Sequence, residues 1–158
     1  MGGDFIWERA AVVAHSECLA RSYRHWTGRE LVAGVGAADG RELARRLFVA
    51  SFVLVSHGTE VDPVLNYGNR AALELWEMSW EELTRTPSRF TAEAPNREER
   101  ARLLAEVTAR GFIDNYSGVR IARSGRRFRI ERATVWNLLD AGGGRCGQAA
   151  MFDRWEFL

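Results

Sequence analysis

The chain has 158 residues, 46% hydrophobic and 27% charged, which is enough for one domain with a real core and too apolar for a disordered segment. Its 22 basic residues, all arginine, stand against 21 acidic ones, and a formal charge of +1 excludes a histone-like or polybasic role and gives no global pull toward nucleic acid or an anionic membrane. Apolar runs fall short of the ~20 residues of a membrane span, and the opening Met1-Gly2-Gly3-Asp4-Phe5 lacks a signal peptide's basic region and apolar core, so the expected location is the cytoplasm.

Phe5, Val12, Leu19 and Trp26 recur every seventh position, with Val13, Ala20 and Tyr23 beside them, which predicts an amphipathic helix over residues 4–26. Its stripe either packs on the chain's own sheet or forms a dimer contact. Gly28 and Gly34 to Gly36 interrupt, and Asp39 with Glu42 predicts a capped helix carrying Leu43, Leu47 and Phe48.

Phe48 to Ser56 is a β-branched and aromatic run, read as a buried strand. The polar turn through Pro63 leads into a short partner strand, Val64 to Gly68. Asn69 is placed to cap a helix containing Ala72, Leu73 and Trp76; Ser79 with Glu82 forms a capping box; Pro87 ends that region. Asn96 with Glu99 predicts a further box opening a helix that stops at Gly111. Phe112 to Arg123, Arg126 to Leu139 and Arg145 to Phe157 then read as three strands joined by hairpin turns. The expectation is an α+β fold: a five-stranded antiparallel sheet with helices on one face and an N-terminal helical extension.

Strand alternation places Phe128, Ile130, Arg132, Thr134, Trp136 and Leu138 on one face. Arg132 there is either a surface arginine stacked on Trp136 or an anchor for a carboxylate or phosphate. Gln148 should share a face with Cys146, Ala150 and Phe152, its amide suited to a heterocycle edge or to satisfying buried backbone. Ser56, His57, Glu60 and Asp62 form a polar cluster, read as a turn locked by hydrogen bonds or as an acid-base group. No nucleophile motif surrounds Ser56, and no two of the three histidines have zinc-helix spacing. Cys18 and Cys146 are too few and too isolated for a metal site or disulfide framework. The six tryptophans are expected in the core or at an interface.

Ser56 to Pro63 and Asn66 to Leu75, followed by Asn96 to Arg100, Gly111-Phe112, Tyr116 to Arg120, Gly125 to Ile130 and Gly147 to Phe152, together resemble the successive blocks of the MEKHLA-domain family, whose fold is PAS-like. The resemblance runs from about Tyr23 to Trp155. It implies a PAS-like core over residues 48–158, with residues 1–47 as the helical extension, enclosing a small cavity in a class that binds small molecules or partner proteins for signalling. It implies no enzyme activity. The same domain ends certain plant homeodomain leucine-zipper factors, where it looks like a regulatory module for dimerisation. Without a homeodomain or zipper among these residues, a standalone copy is expected to act through a partner, self-association or its own ligand.

Pro87-Ser88-Arg89-Phe90 is also similar to the Asn-Cys-Arg-Phe core of flavin-binding light sensors. Ser88 stands at the reactive cysteine, and a hydroxyl lacks the thiol reactivity of their adduct. Pro87 and Ala92 replace an asparagine and a glutamine, whereas Arg89 and Gln148 match positions that contact flavin phosphate and ring. The sequence thus predicts a sensory or interaction domain that binds an unidentified small ligand and dimerises through its N-terminal helix or meets a protein partner, with Arg89, Arg132, Trp136 and Gln148 as cavity bets and no metal. The alternatives are an adduct-free flavin sensor or a small enzyme built on His57, Glu60 and Asp62.

Overall fold

The computed structural model describes residues 5–35 and 39–158, with the backbone alone at 94–96. A 3-10 turn, Ile6–Glu8, precedes α1 (Ala10–Thr27) and α2 (Gly40–Val49). Strands β1 (Val53–His57) and β2 (Leu65–Gly68) lead to α3 (Arg70–Trp76), α4 (Trp80–Leu83), a 3-10 turn Ser88–Thr91 and α5 (Ala94–Arg110). The chain finishes with β3 (Phe112–Ile121), β4 (Arg127–Leu139), β5 (Arg145–Phe152) and β6 (Arg154–Phe157).

All pairings are antiparallel, in the order β2-β1-β5-β4-β3. The last predicted strand is divided at Asp153, and β6 continues along the same β4 edge, pairing Phe128 with Phe157 through Glu131 with Arg154. The sheet therefore keeps its five lateral positions while using six strands.

Local chemistry explains the helix starts. Asn69 caps α3 by accepting from Ala72 N–H, and Ser79 and Glu82 close a full capping box on α4. Asp39 accepts from Glu42 N–H, but the Glu42 side chain turns to Arg45 and Arg46 instead of reaching back. Helix α5 begins two residues ahead of the expected Asn96 cap, because Pro95 fits a first-turn position that needs no N–H donor. The predicted strand start at Phe48 is likewise later: α2 runs to Val49 and β1 opens at Val53. Of the predicted glycine interruption, Gly36 lies outside the described residues.

Helices cover both faces of the sheet, not one. On the first face α3, α4 and α5 contribute Ala72, Trp76, Leu83, Leu103 and Val107 against Val53, Val55, Phe128, Ile130, Val135 and Phe152. On the other, α1 and α2 bring Val12, Leu19, Tyr23 and Leu47 against Leu54, Tyr67, Trp136, Leu138 and Ala149. The α1 stripe is thus spent on the chain's own sheet. Because both faces are covered, β1 is buried at every position, which explains the consecutive apolar residues Val53, Leu54 and Val55.

The alternation of β4 reverses at Arg132. Against β3, Ile130 pairs with Gly118 and Ala133 with Tyr116, so β4 carries an extra residue there, and Arg132 takes a left-handed φ of 53°. Past the bulge, Thr134, Trp136 and Leu138 share a face opposite to Phe128 and Ile130. A second irregularity beside Leu138 and Leu139 sets Cys146 against α1, on the face opposite Gln148.

Candidate functional site

Between α5, β3 and the sheet lies a cavity of about 70 Å³. The β1 alternation sends His57 to this side and Ser56 to the α1 side, where the Ser56 hydroxyl bonds Asn66 Oδ1 at 2.6 Å and His15 Nε2 at 2.9 Å. Ser56 and His57 therefore cannot act as a nucleophile-base pair. Glu60 is exposed and holds Val64 N–H, and Asp62 is half exposed in an ion pair with Arg89 at 3.1 Å. The four-residue polar cluster thus separates into three environments.

Gln148 lines the cavity, 1% exposed. Its amide nitrogen is held by Leu104 O at 3.1 Å, Thr108 Oγ1 at 3.0 Å and Asn137 Oδ1 at 3.0 Å. Asn137 commits its own amide nitrogen to Val107 O, so its Oδ1 is an acceptor and the orientation of the Gln148 amide follows. Gln148 Oε1 is left buried without a donor among the described residues.

The other cavity bets lie elsewhere. Arg89 spans the surface between Asp62 and the Phe90 ring. Arg132 is exposed, turned outward by the bulge, and that same bulge places Trp136 under α1, edge-on to Tyr23 with centroids 5.0 Å apart.

The side chains that give the cavity its charge are Arg100 and Arg120, 8% and 6% exposed. Arg100 Nη2 donates to Ser88 Oγ at 2.6 Å; Arg120 donates to Val119 O at 2.9 Å and to Tyr116 Oη at 3.1 Å. Neither guanidinium has a carboxylate partner among the described residues. Glu99 is linked to Arg120 through Tyr116, whose Oη donates to it at 3.2 Å, and the acid whose charge acts on Arg100 is Asp62. Burial lowers Arg100 to about 10, with Arg120 nearby pushing the same way, so it stays charged at neutral pH. His57 falls to about 4, first by burial and further through Arg100 and Arg145, and is neutral. Its Nδ1–H donates to Gly58 O at 2.9 Å, which leaves Nε2 as a buried acceptor without a donor among the described residues.

Periodicity carries a signal for both arginines. Arg100 precedes Leu103, Leu104 and Val107 at helical spacing, and Arg120 shares strand parity with buried Tyr116 and Ala122. In a run rich in Arg and Glu, that signal is hidden by the usual reading of charges as a solvated face.

A flavin does not fit these residues. Its tricyclic ring needs a site nearer the few hundred Å³ of ordinary ligand pockets, and the arginine matched to flavin phosphate is bound to Asp62 outside the cavity. Ser88 is buried and occupied with Arg100.

The strand order and the helices over the cavity define a PAS-like domain. The fold is similar to a PAS domain from Colwellia psychrerythraea, at a TM-score of 0.62 and 12% identity, over 75% of this chain and 95% of that one. It is also similar to an RNA-binding light-oxygen-voltage receptor, at a TM-score of 0.62 and 17% identity, over 80% of this chain and 36% of that one. The MEKHLA domain model matches residues 13–157, and the chain belongs to that family. Homeobox-leucine zipper protein ATHB-14 of Arabidopsis thaliana is 26% identical over 142 residues, 89% of this chain and 17% of that protein. The chain thus spans about one sixth of the length of such relatives. Among the described residues, no helix is long and apolar enough to cross a membrane.

Proposed function

We propose that this MEKHLA domain is a cytoplasmic sensory or regulatory module that takes a small ligand into the cavity between α5 and the sheet and reports occupancy through protein contact. The observation that carries this reading is the pair of buried guanidiniums, Arg100 and Arg120, without a carboxylate partner among the described residues. A buried charge in a folded domain calls for compensation, and a cavity with unmatched acceptors and cationic walls is a polar binding site. The dispersal of His57, Glu60 and Asp62 favours binding over acid-base chemistry.

The test is native mass spectrometry of freshly purified chain, repeated after denaturation, with an absorbance scan from roughly 300 to 600 nm, because bound molecules and chromophores are thereby separated from covalent mass. Added mass lost on denaturation, without colour, is the expected result. No added mass, together with no stabilisation by any small anion or neutral metabolite, overturns it. Protein contact is tested by light-scattering mass as a function of concentration, and a monomer throughout removes self-association as the output.

A further inference from the structure

Resting on that reading, we infer that the cavity ligand is a short hydroxycarboxylate: a carboxylate held by Arg100 and Arg120 and a hydroxyl donating to Gln148 Oε1 or His57 Nε2. The cavity needs both kinds of group at once. Among the described residues Arg100 has one acceptor, Ser88 Oγ, and Arg120 has a backbone carbonyl and a phenol oxygen, so most of their N–H donors remain for an anion. Trp76, also on the cavity wall, has a buried Nε1–H without an acceptor among the described residues.

The unmatched acceptors narrow the choice. Gln148 Oε1 is fixed outward from its nitrogen's contacts, and His57 Nε2 carries a lone pair because Nδ1 holds the proton. A plain carboxylate or a fully ionised phosphate supplies acceptors only and leaves both unanswered. An ammonium donor would meet two guanidiniums at close range in a poorly solvated site. A hydroxyl donates without charge. The volume of about 70 Å³ limits the molecule to a few heavy atoms and excludes aromatic heterocycles and nucleotides.

The experiment is isothermal titration of the exhaustively dialysed full chain with matched pairs, glycolate against acetate and lactate against propionate, and with inorganic phosphate. The hydroxy member of each pair is expected to bind about tenfold or more tightly than its deoxy partner, the weight of one hydrogen bond to a buried acceptor. Arg100→Gln and Arg120→Gln should each weaken both members by a similar factor, and removing the acceptor that the hydroxyl uses, by Gln148→Leu or by His57→Phe, should erase the difference within a pair, whereas a difference that survives both overturns the hydroxyl contact. Circular dichroism identifies any variant that fails to fold, and the matched ligands keep the wild-type comparison independent of mutation.

Equal binding within each pair, binding of phosphate alone, or native mass spectra that reveal an uncharged ligand overturns the hydroxycarboxylate and leaves the small-ligand reading standing. Silence of all probes, with no native adduct, overturns both.

Discussion

Cys18 Sγ on α1 and Cys146 Sγ on β5 lie 3.9 Å apart across 128 residues of sequence. Their separation in the chain hides this pairing, and only the irregularity that turns Cys146 toward α1 brings them together. The Cys146 thiol is pushed up to about 11, first by burial and then by neighbouring Cys18, with Asp140 adding to it. Thiolate, not thiol, is the nucleophile. Alkylation of Cys146 by iodoacetamide should therefore be slow at pH 7 and rise about tenfold per pH unit to at least pH 10, following the thiolate fraction. Peptide mass spectrometry reads the rate, and a plateau by about pH 9 would contradict the shift. Cys18→Ser should bring the plateau to lower pH.

His15 and His57, on opposite sides of β1, are both lowered from 6.5 to about 4, burial being the first cause for each. Between these values the unfolded chain binds the protons that the folded chain refuses, so stability rises with pH across that window and falls on acidification. The loss should begin near pH 6.5, deepen to about 4 and then flatten as far as these groups are concerned. Each contributes roughly 3 kcal/mol by linkage. Urea unfolding between pH 7 and 4 measures it, and His15→Gln should remove about half of the slope. A flat profile would mean that neither imidazole is held neutral.

Asn69 is read from sequence as a helix cap, and it is more than that. Fully buried, it accepts from Leu54 N–H and Ala72 N–H, both at 3.1 Å, and donates to Leu47 O at 3.0 Å and Phe52 O at 2.9 Å. One amide thereby joins α2, the approach to β1 and the start of α3. Asn69→Asp keeps the cap acceptor but turns an oxygen toward two carbonyls, and should cost about 3–5 kcal/mol. Denaturant midpoints check this; a loss below about 1 kcal/mol, the weight of an ordinary cap, would reduce Asn69 to capping alone.

How much the sequence reveals depends on whether a rule stays local. Ser79 with Glu82 works within one helical turn and is legible as written. Alternation in β4 is legible only as far as Arg132, since one inserted residue reverses every later side chain and carries Trp136 from the expected cavity to the α1 interface. Arg100 is hidden differently: its inward direction depends on where α5 lies over the sheet, a tertiary fact, while its neighbours Arg97, Glu98 and Glu99 present the composition of a solvent face. Family resemblance locates the fold, but the matched arginine, Arg89, is the one that Asp62 retains at the surface.

Removing an unpaired buried charge should stabilise the ligand-free protein. Arg120→Met keeps an unbranched apolar stem in place of the arginine's methylenes, removes a guanidinium beside Arg100, and leaves Tyr116 Oη bonded to Glu99. The expected result is a Tm at or above that of the wild type with anion affinity lost, the usual opposition between stability and a binding site. Thermal unfolding in ligand-free buffer checks it. A large drop in Tm would mean that Arg120 is chiefly a structural partner of Tyr116.

Gly147 controls how closely β5 approaches β1 at the cavity. A Cβ there would run into the carbonyl oxygen of His57, a backbone atom with no freedom to swing aside. The neighbouring register, His57 against Gln148, fixes the two residues that offer unmatched acceptors to the cavity. Gly147→Ala should therefore spread the β1–β5 pair locally, cost about 1–3 kcal/mol as overpacking, and weaken ligand binding more than its distance from the guanidiniums suggests. Amide exchange at β1 and β5, alongside the titration, distinguishes a local change from general loosening: faster exchange confined to these strands is expected. Unchanged exchange with normal affinity would mean that the sheet absorbs the methyl group and that the close approach has no part in shaping the site.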